Sequence, residues 1–173
     1  MDFINQKPAQ ARHLSNELRN GVTPALRQRR TVAGLSLLAA GAMGVIALYQ
    51  LGIIKHLPEP PLPLLNADKV DASVEAYSRF HTPDAFLGVT SYAATAALAA
   101  MGDADRAHTM PLIPLALAAK VSFDAFQGIR LSIDQITKQK ALCSWCLLAA
   151  GVTVAAAPRV WPEAKMALKQ LLA

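Results

Sequence analysis

The chain has little charge, few aromatic residues and almost no cysteine. Charged residues make up 17% of its 173 positions, whereas a soluble domain usually carries about 25%. Aromatic residues make up 6%, and no stripe of lysine and arginine interleaves with them. The net charge of +5 therefore does not indicate nucleic-acid binding. Hydrophobic residues reach 53% and are gathered in long runs, which is typical of a membrane protein.

The two cysteines, Cys143 and Cys146, are too few for a fold held together by several disulfides. They are also too few for a structural zinc site, which takes four ligands. The histidines fall on different segments, so we predict no metal site; they are His13, His56, His81 and His108. The C-x-x-C spacing suits a redox pair instead.

Four runs of residues are apolar and long enough to approach the thickness of a bilayer. The first, residues 31–54, is uncharged over its whole length and follows a basic segment. A bilayer core about 30 Å thick needs about 20 helical residues. A cleaved signal peptide is the competing interpretation, but the run and the segment before it are too long. We therefore predict an all-α bundle of four transmembrane helices, at residues 31–54, 85–102, 109–129 and 141–158.

The polar segments divide the chain into three parts. Residues 1–30 form a basic N-terminal segment, residues 31–158 the four-span domain, and residues 159–173 a tail. The tail predicts a short amphipathic helix that starts near Trp161 and Pro162 and lies at the membrane surface. The prolines of residues 56–65 indicate an extended loop. The polar side chains of residues 130–140 indicate a short link between the third and fourth spans. Small residues in the first span predict close helix packing there; they are Gly34, Gly41 and Gly44.

Lysine and arginine are distributed unevenly between the two sides of the predicted membrane domain. The side that carries both termini has ten of them, against six on the other side. Positive residues stay preferentially in the cytoplasm. This predicts a multi-pass membrane protein in contact with lipid, with both termini cytoplasmic; in a bacterial cell the membrane would be the inner one. The two cysteines then lie at the outer face, which in bacteria is oxidising.

Cys143 and Cys146 occupy the first turn of the fourth predicted span. At positions i and i+3 of a helix, their sulfurs share one face and can form a disulfide. Unpaired N–H groups at a helix start favour a thiolate, which is the form that attacks disulfides. The alternative is a pair of small buried residues with no chemistry.

Lys120 and Asp124 are charged residues inside the third predicted span. They are four positions apart and so share a helix face. Charges at this depth are costly and usually point inward or pair with each other. Three interpretations stay open: a neutralised pair that packs the helices, a proton route, or a contact with a partner subunit.

Two segments resemble the vitamin K epoxide reductase family. ALCSWCL, residues 141–147, resembles the A-L-C-x-W-C-L opening of the last core helix in bacterial members. FHTPDAFLGVTSYA, residues 80–93, resembles the F-G-x-P-x-x-x-L-G-x-x-x-Y-A run that leads into the second span. The resemblance covers roughly residues 31–158 and includes the number of spans and their orientation.

The resemblance implies a thiol–quinone oxidoreductase. A four-helix bundle would hold ubiquinone or menaquinone near the cysteines, with Cys146 facing the quinone and Cys143 exchanging with an incoming thiol. The partner would be a thioredoxin-like periplasmic protein. Quinone contacts would come from Phe80, His81 and Tyr92. For His81 the alternative is a solvated histidine, and for Tyr92 an anchor at the interface.

Three departures from the family pattern bear on turnover. The loop between spans one and two lacks the family's second cysteine pair and has Asp68, Asp71 and Ser73 in that region. His81 replaces the glycine of the F-G-x-P motif. No aromatic or hydroxyl residue follows the C-x-x-C by one turn. The alternative to an enzyme is therefore a non-catalytic subunit, without a cofactor, that packs within a larger membrane complex.

Overall fold

The computed structural model describes residues 3–173, with side chains from residue 8 onward. This part of the chain is helical and contains no β-strand. A π-helical turn, Gln135–Gln139, continues the seventh α-helix. The α-helices are α1 (Phe3–Asn20), α2 (Pro24–Gln50), α3 (Ala67–Asp71), α4 (Val74–Tyr77), α5 (Asp84–Ala100), α6 (Arg106–Thr109), α7 (Leu112–Asp134) and α8 (Ser144–Leu172).

Three of the described helices are long and apolar enough to cross a membrane. They are α2, α7 with its π-helical turn, and α8. Helix α5 corresponds to the second predicted span but has 17 residues, at the lower end of the range that can span a bilayer. The all-α fold and the membrane-spanning character are thus confirmed. That α5 also crosses the membrane, which would make four spans in all, stays a prediction.

The long helices pack side by side through small residues. Helix α2 contacts α5 and α8 most extensively, and α7 contacts α8 and, to a lesser extent, α5. Alanine and valine dominate the buried cluster at the end where α2 begins, which includes Val32, Ala99, Val121, Ala156 and Val160. Large apolar side chains such as Phe123 and Phe126 are instead exposed on α7. This arrangement suits lipid, where small residues allow helices to approach closely.

Close helix packing occurs at glycines other than those expected. A Cβ atom added to Gly88 of α5 would lie 2.8 Å from the side chain of Met43, and one added to Gly128 of α7 would lie 3.2 Å from the Cβ of Ala150. The prediction for the first span was wrong, because no atom of another element lies within 4 Å of such a position at Gly34, Gly41 or Gly44.

The polar link expected at residues 130–140 is helical instead. Helix α7 continues to Asp134, and the π-helical turn reaches Gln139. Polar side chains satisfy one another along this stretch, since Lys138 Nζ lies 3.0 Å from Asp134 Oδ1. The helix ends at Lys140, whose φ of 53° is left-handed.

The tail is also part of a longer helix. Helix α8 passes through Pro158 and Pro162 without a break, whereas we predicted a separate helix starting near Trp161. Each proline removes one backbone hydrogen bond, but membrane helices tolerate this when neighbours support them. Here Glu163 and Ala164, just beyond the second proline, are buried against the rest of the chain.

Two buried arginines, Arg29 and Arg106, donate hydrogen bonds to backbone carbonyl groups at the end of the molecule where α2 begins. Arg106 donates from Nη1 to the carbonyl oxygens of Leu98, at 2.7 Å, and Met101, at 2.6 Å. Arg29 donates to five successive carbonyl groups at the end of α5, namely Ala99, Ala100, Met101, Gly102 and Asp103. The start of α2, the end of α5 and the late part of α8 therefore meet at one end, and the loop before α5 lies at the other.

Candidate active site

Cys143 and Cys146 lie at the start of α8. Cys143 is the N-cap residue in an extended conformation, with φ −102° and ψ 118°. Its sulfur accepts a hydrogen bond of 3.2 Å from the backbone N–H of Cys146. Both cysteines are free thiols. The sulfur of Cys143 thus takes the position of a capping oxygen at the start of α8.

The two thiols differ in access. Cys143 is completely buried, and Cys146 is half-buried. The backbone N–H of Cys143 donates to Oε1 of Gln135 at 2.9 Å, which ties the start of α8 to the π-helical turn. An incoming thiol can therefore reach Cys143 only after part of its cover has moved.

The cover is the proline-rich loop, residues 55–66. Leu142 N–H donates to the carbonyl oxygen of Leu64 at 2.8 Å, and Asn66 N–H donates to that of Leu142 at 2.9 Å. Trp145, between the two cysteines, donates from Nε1 to the carbonyl oxygen of Pro58 at 2.8 Å. The loop is thus hydrogen-bonded to the residues on both sides of Cys143.

Glu59 strengthens the same attachment. Its Oε1 accepts from the backbone N–H of Ala67 at 2.5 Å. Its Oε2 accepts from Ser144, from the backbone N–H at 3.4 Å and from Oγ at 3.1 Å. One carboxylate thereby joins the first turns of α3 and α8, where negative charge is stabilised by the helix dipole.

Asp71 is a site residue that the sequence analysis did not identify. Its Oδ1 accepts a hydrogen bond from Cys146 Sγ at 3.5 Å, and the residue is 3% exposed. Burial raises the pKa of Asp71 from 3.8 to about 6. The hydrogen bonds from the cysteines oppose this rise, and the charges of Asp84 and Glu59 add to it. In the sequence Asp71 is one acidic residue among several in the loop, and only its placement against α8 distinguishes it.

Helix α2 holds α3 in this position. Gln50, at the end of α2, donates from Nε2 to the backbone carbonyl oxygen of Asp71 at 3.2 Å and to Asp84 Oδ1 at 2.8 Å. Tyr49 donates from its hydroxyl to the carbonyl oxygen of Asp68 at 3.2 Å. Asp71 is therefore positioned by backbone contacts, and its side chain is left directed at the sulfurs.

The carboxylate of Asp71 and the two sulfurs form a compact group. One side-chain atom from each of the three residues lies within 4.8 Å of the others. A structural zinc site takes four such ligands, so these described residues do not complete one. The group therefore consists of two free thiols and one carboxyl group at the start of α8.

The residues predicted to contact a quinone are spread over two places. Phe80 is 85% exposed and His81 is exposed, both on the turn before α5. Tyr92 lies further along α5, half-buried beside Ala39, Ala42 and Ala149. The structure thus brings neither Phe80 nor His81 together with Tyr92, and only Cys146 among the four lies in the compact group.

The turn before α5 explains one departure from the family motif. Phe80 and His81 have φ of 55° and 51°. This left-handed conformation costs a residue with a side chain about 1–2 kcal/mol, whereas glycine adopts it freely. The glycine of the F-G-x-P motif corresponds to His81. A glycine there would adopt the left-handed conformation without strain, whereas His81 adopts it at that cost.

Lys120 and Asp124 form an ion pair on α7, on the face of that helix that contacts Ser91 and Thr95 of α5. Lys120 Nζ lies 2.6 Å from Asp124 Oδ2 and donates to Ser91 Oγ at 2.7 Å. Ser91 and Thr95 each donate to Asp124 at 3.3 Å. We call Lys120, Asp124, Ser91 and Thr95 the polar cluster. The two charges neutralise each other, and the two hydroxyl groups of α5 hydrogen-bond to the pair. Among the interpretations that the sequence left open, the packing pair has the contacts it requires.

A small cavity adjoins the polar cluster. It has a volume of about 10 Å³ and is lined by Asp124 and Thr95 together with Ser36, Tyr92 and Thr153. A volume of this size holds about one water molecule. Tyr92 lines it, whereas the other predicted quinone contacts do not.

Comparison with known proteins agrees with the resemblance in the sequence. The model of the vitamin K epoxide reductase family matches residues 30–161. No curated protein and no solved structure matches the chain. The matched residues run from the second turn of α2 into the second half of α8 and include Asp71 and both cysteines. They make up well over half of the sequence, and the chain belongs to the vitamin K epoxide reductase family.

Proposed function

We propose that this protein is a membrane oxidoreductase that passes electrons between a dithiol partner and a membrane quinone through Cys143 and Cys146. The observation that carries the proposal is the pair of free thiols at the start of α8, with the sulfur of Cys143 accepting the N–H of Cys146. Two thiols spaced C-x-x-C can form and break a disulfide between them, which is the chemistry of disulfide exchange.

The two sulfurs have different roles in this proposal. Cys143 forms the mixed disulfide with a thioredoxin-like partner, and the loop over it moves to admit that partner. Cys146, which is half-buried, is the sulfur that a quinone must approach. No cysteine of the loop takes part, because the chain has only these two. The partner therefore exchanges directly with the pair.

Ubiquinone or menaquinone would be the electron acceptor, and its quinol form would be the electron donor in the opposite direction. Sites for small molecules usually have several hundred cubic ångströms, so a quinone ring does not fit the cavity of about 10 Å³ beside Tyr92. A pair of thiols can exchange two electrons with a quinone, but the internal cavity is too small to hold the quinone ring. We therefore assign no step of the mechanism to a quinone inside the helices.

We also propose that α5 crosses the membrane as the second of four spans. Both termini would then be cytoplasmic, in a bacterial inner membrane. Helix α5 is apolar and packs against α2 along its length. The ten basic residues on the side of the termini support this orientation. Labelling of single introduced cysteines, in a chain without its native pair, tests it. Residue 104 is expected to be reached from the cytoplasm and residue 61 from outside.

The proton route through Lys120 and Asp124 stays a prediction. Asp124 lies beside a cavity with room for about one water, which supports it. If the route operates, Asp124→Asn lowers turnover with quinone but leaves reduction of the cysteine pair by a small dithiol unchanged. Equal turnover in the variant and the wild type leaves the pair with a packing role alone.

Quinone reduction tests the proposed function. The purified protein in lipid nanodiscs receives a dithiol as donor and a ubiquinone or menaquinone analogue as acceptor, and quinol formation is followed by absorbance. Cys146→Ser is expected to abolish turnover. Met101→Leu, a substitution of similar size at the other end of the helices, serves as the control and keeps it.

Failure with both quinones, in a protein that keeps its helical content, overturns the enzymatic proposal. The non-catalytic subunit then becomes the interpretation to pursue. Membrane proteins that co-purify with the chain would be compared between the wild type and Lys120→Met.

A further inference from the structure

We propose that Asp71 is a catalytic residue that exchanges a proton with the sulfur of Cys146 in each dithiol–disulfide step. This inference rests on the proposed function and adds a third residue to its site. It comes from the position of α3, which places a carboxyl group where neither the C-x-x-C motif nor the loop sequence indicates one.

The contacts of Asp71 leave it free for this role. Oδ1 lies 3.5 Å from Cys146 Sγ, and Oδ2 is buried without a hydrogen-bond partner among the described residues. A buried polar atom without a partner is costly. No lysine, arginine or histidine of the described chain forms an ion pair with Asp71. A proton is therefore the charge-neutralising partner that remains.

The other titratable groups around Asp71 are engaged elsewhere. Asp84 of α5 accepts from Gln50. Glu59 of the loop accepts from Ala67 and Ser144. The Tyr49 hydroxyl of α2 donates to the backbone of Asp68. Among the described residues, Asp71 is thus the carboxyl group whose side chain hydrogen-bonds to the sulfur of Cys146.

The step can be written with its atoms and electrons. A partner thiolate attacks the sulfur of Cys143 in the oxidised pair, a bond forms between these two sulfurs, and the bond between Cys143 and Cys146 breaks. The electron pair of that bond stays on Cys146, which takes the proton of the Asp71 carboxyl group. The partner's second thiolate then forms the partner's disulfide and releases Cys143 as a thiolate, which takes a proton from water.

The partner has then lost two electrons, and the cysteine pair has gained them. In the opposite half of the cycle, in which the pair is oxidised and gives its two electrons to the quinone of the proposed function, the Asp71 carboxylate removes the proton from Cys146. Proton transfer of this kind contributes on the order of 10²-fold or more to a rate. The raised pKa of Asp71, about 6, supports the role because the group can then hold or release a proton near neutral pH.

Reduction of the oxidised pair by dithiothreitol tests the inference without any quinone. The rate is measured from pH 5 to 8.5 by quenching with a maleimide polymer and resolving the mass shift on a gel. Each rate is divided by the thiolate concentration of the reagent. The wild type is expected to show an inflection near pH 6, with the faster rate on the acidic side. Asp71→Asn is expected to lose the inflection and to be slower below it, on the order of a hundredfold.

Asp68→Asn is the matched control, since it makes the same chemical change in the same short helix without a contact to either sulfur. It is expected to keep the inflection. A wild-type profile without an inflection, or an Asp71→Asn profile equal to that of the wild type, overturns the inference. Absent quinone turnover, together with a slow Asp71→Asn, overturns the proposed function and leaves the role of Asp71 in thiol exchange in place.

Discussion

Arg106 and Glu163 form a doubly hydrogen-bonded ion pair inside the protein. Nε donates to Oε1 at 2.8 Å and Nη2 donates to Oε2 at 2.7 Å. The two side chains are 0% and 5% exposed. The pair joins the segment after α5 to α8 at a point beyond Pro162, and it holds the last turns of α8 against the other helices.

Arg106→Met is expected to destabilise the protein by about 3–5 kcal/mol, because it leaves the carboxylate of Glu163 buried without its partner. Thermal unfolding in detergent, followed by circular dichroism, measures this. The double variant Arg106→Met with Glu163→Leu is expected to recover part of the loss. Arg159→Met, an exposed change on the same helix, is the control. Equal melting temperatures for Arg106→Met and the control contradict the prediction.

Asp71→Asn is expected to stabilise the fold at neutral pH. The pKa of Asp71 is raised from 3.8 to about 6, so the folded state binds a proton that the unfolded state releases in that interval. Stability therefore falls as pH rises from about 4 to 6 and stays lower above it. The loss amounts to about 3 kcal/mol, and asparagine avoids it.

Melting temperatures at pH 4 and pH 7.5 check this sign. The variant is expected to exceed the wild type at pH 7.5 and to match it at pH 4. A variant that melts below the wild type at both values would show that the carboxylate is stabilised by contacts beyond those described.

Trp145→Phe is expected to increase the access of reagents to Cys143. The change removes the hydrogen bond from Nε1 to Pro58 and leaves the apolar ring in place. A hydrogen bond of this kind contributes about 0.5–1.5 kcal/mol, so opening of the loop rises up to about tenfold. Mass spectrometry of iodoacetamide-labelled peptides measures the rate at Cys143. Trp161→Phe, further along α8 and away from the loop, is expected to change nothing.

Two glycine substitutions are expected to act in opposite directions. Gly128→Ala places a methyl group 3.2 Å from Ala150 and is expected to cost about 1–3 kcal/mol through overpacking. Gly41→Ala meets no other atom within 4 Å and is expected to stabilise α2 by about 0.5–1 kcal/mol. Thermal unfolding in one detergent compares both. Stabilisation by Gly128→Ala would contradict the close approach of α7 and α8.

Helix positions could be predicted from the sequence because the apolar runs are long and uncharged. Their ends could not. Residues 130–140 contain polar side chains that pair along the helix, and the prolines of α8 are supported by burial of Glu163, so both segments continue as helix. Which glycines meet a neighbour depends on the rotation of each helix, which the spacing of small residues does not determine.

The site could be predicted only in part. The C-x-x-C spacing indicates both cysteines, because chemistry and helix period coincide there. Asp71 stands 72 positions before Cys143 in the chain, and no local pattern distinguishes it from Asp68. Its contact with Cys146 follows from the packing of α2 on α3. The burial of Cys143 likewise follows from the loop that covers it.

The arginine at the start of α2 bears on how the chain is assembled during synthesis. Arg29 satisfies five carbonyl groups that lie about 70 positions later in the chain. The hairpin of α2 and α5 can thus satisfy its polar end before α7 and α8 have left the ribosome. The cysteine pair lies at the start of α8 and is therefore synthesised after α2, α5 and α7.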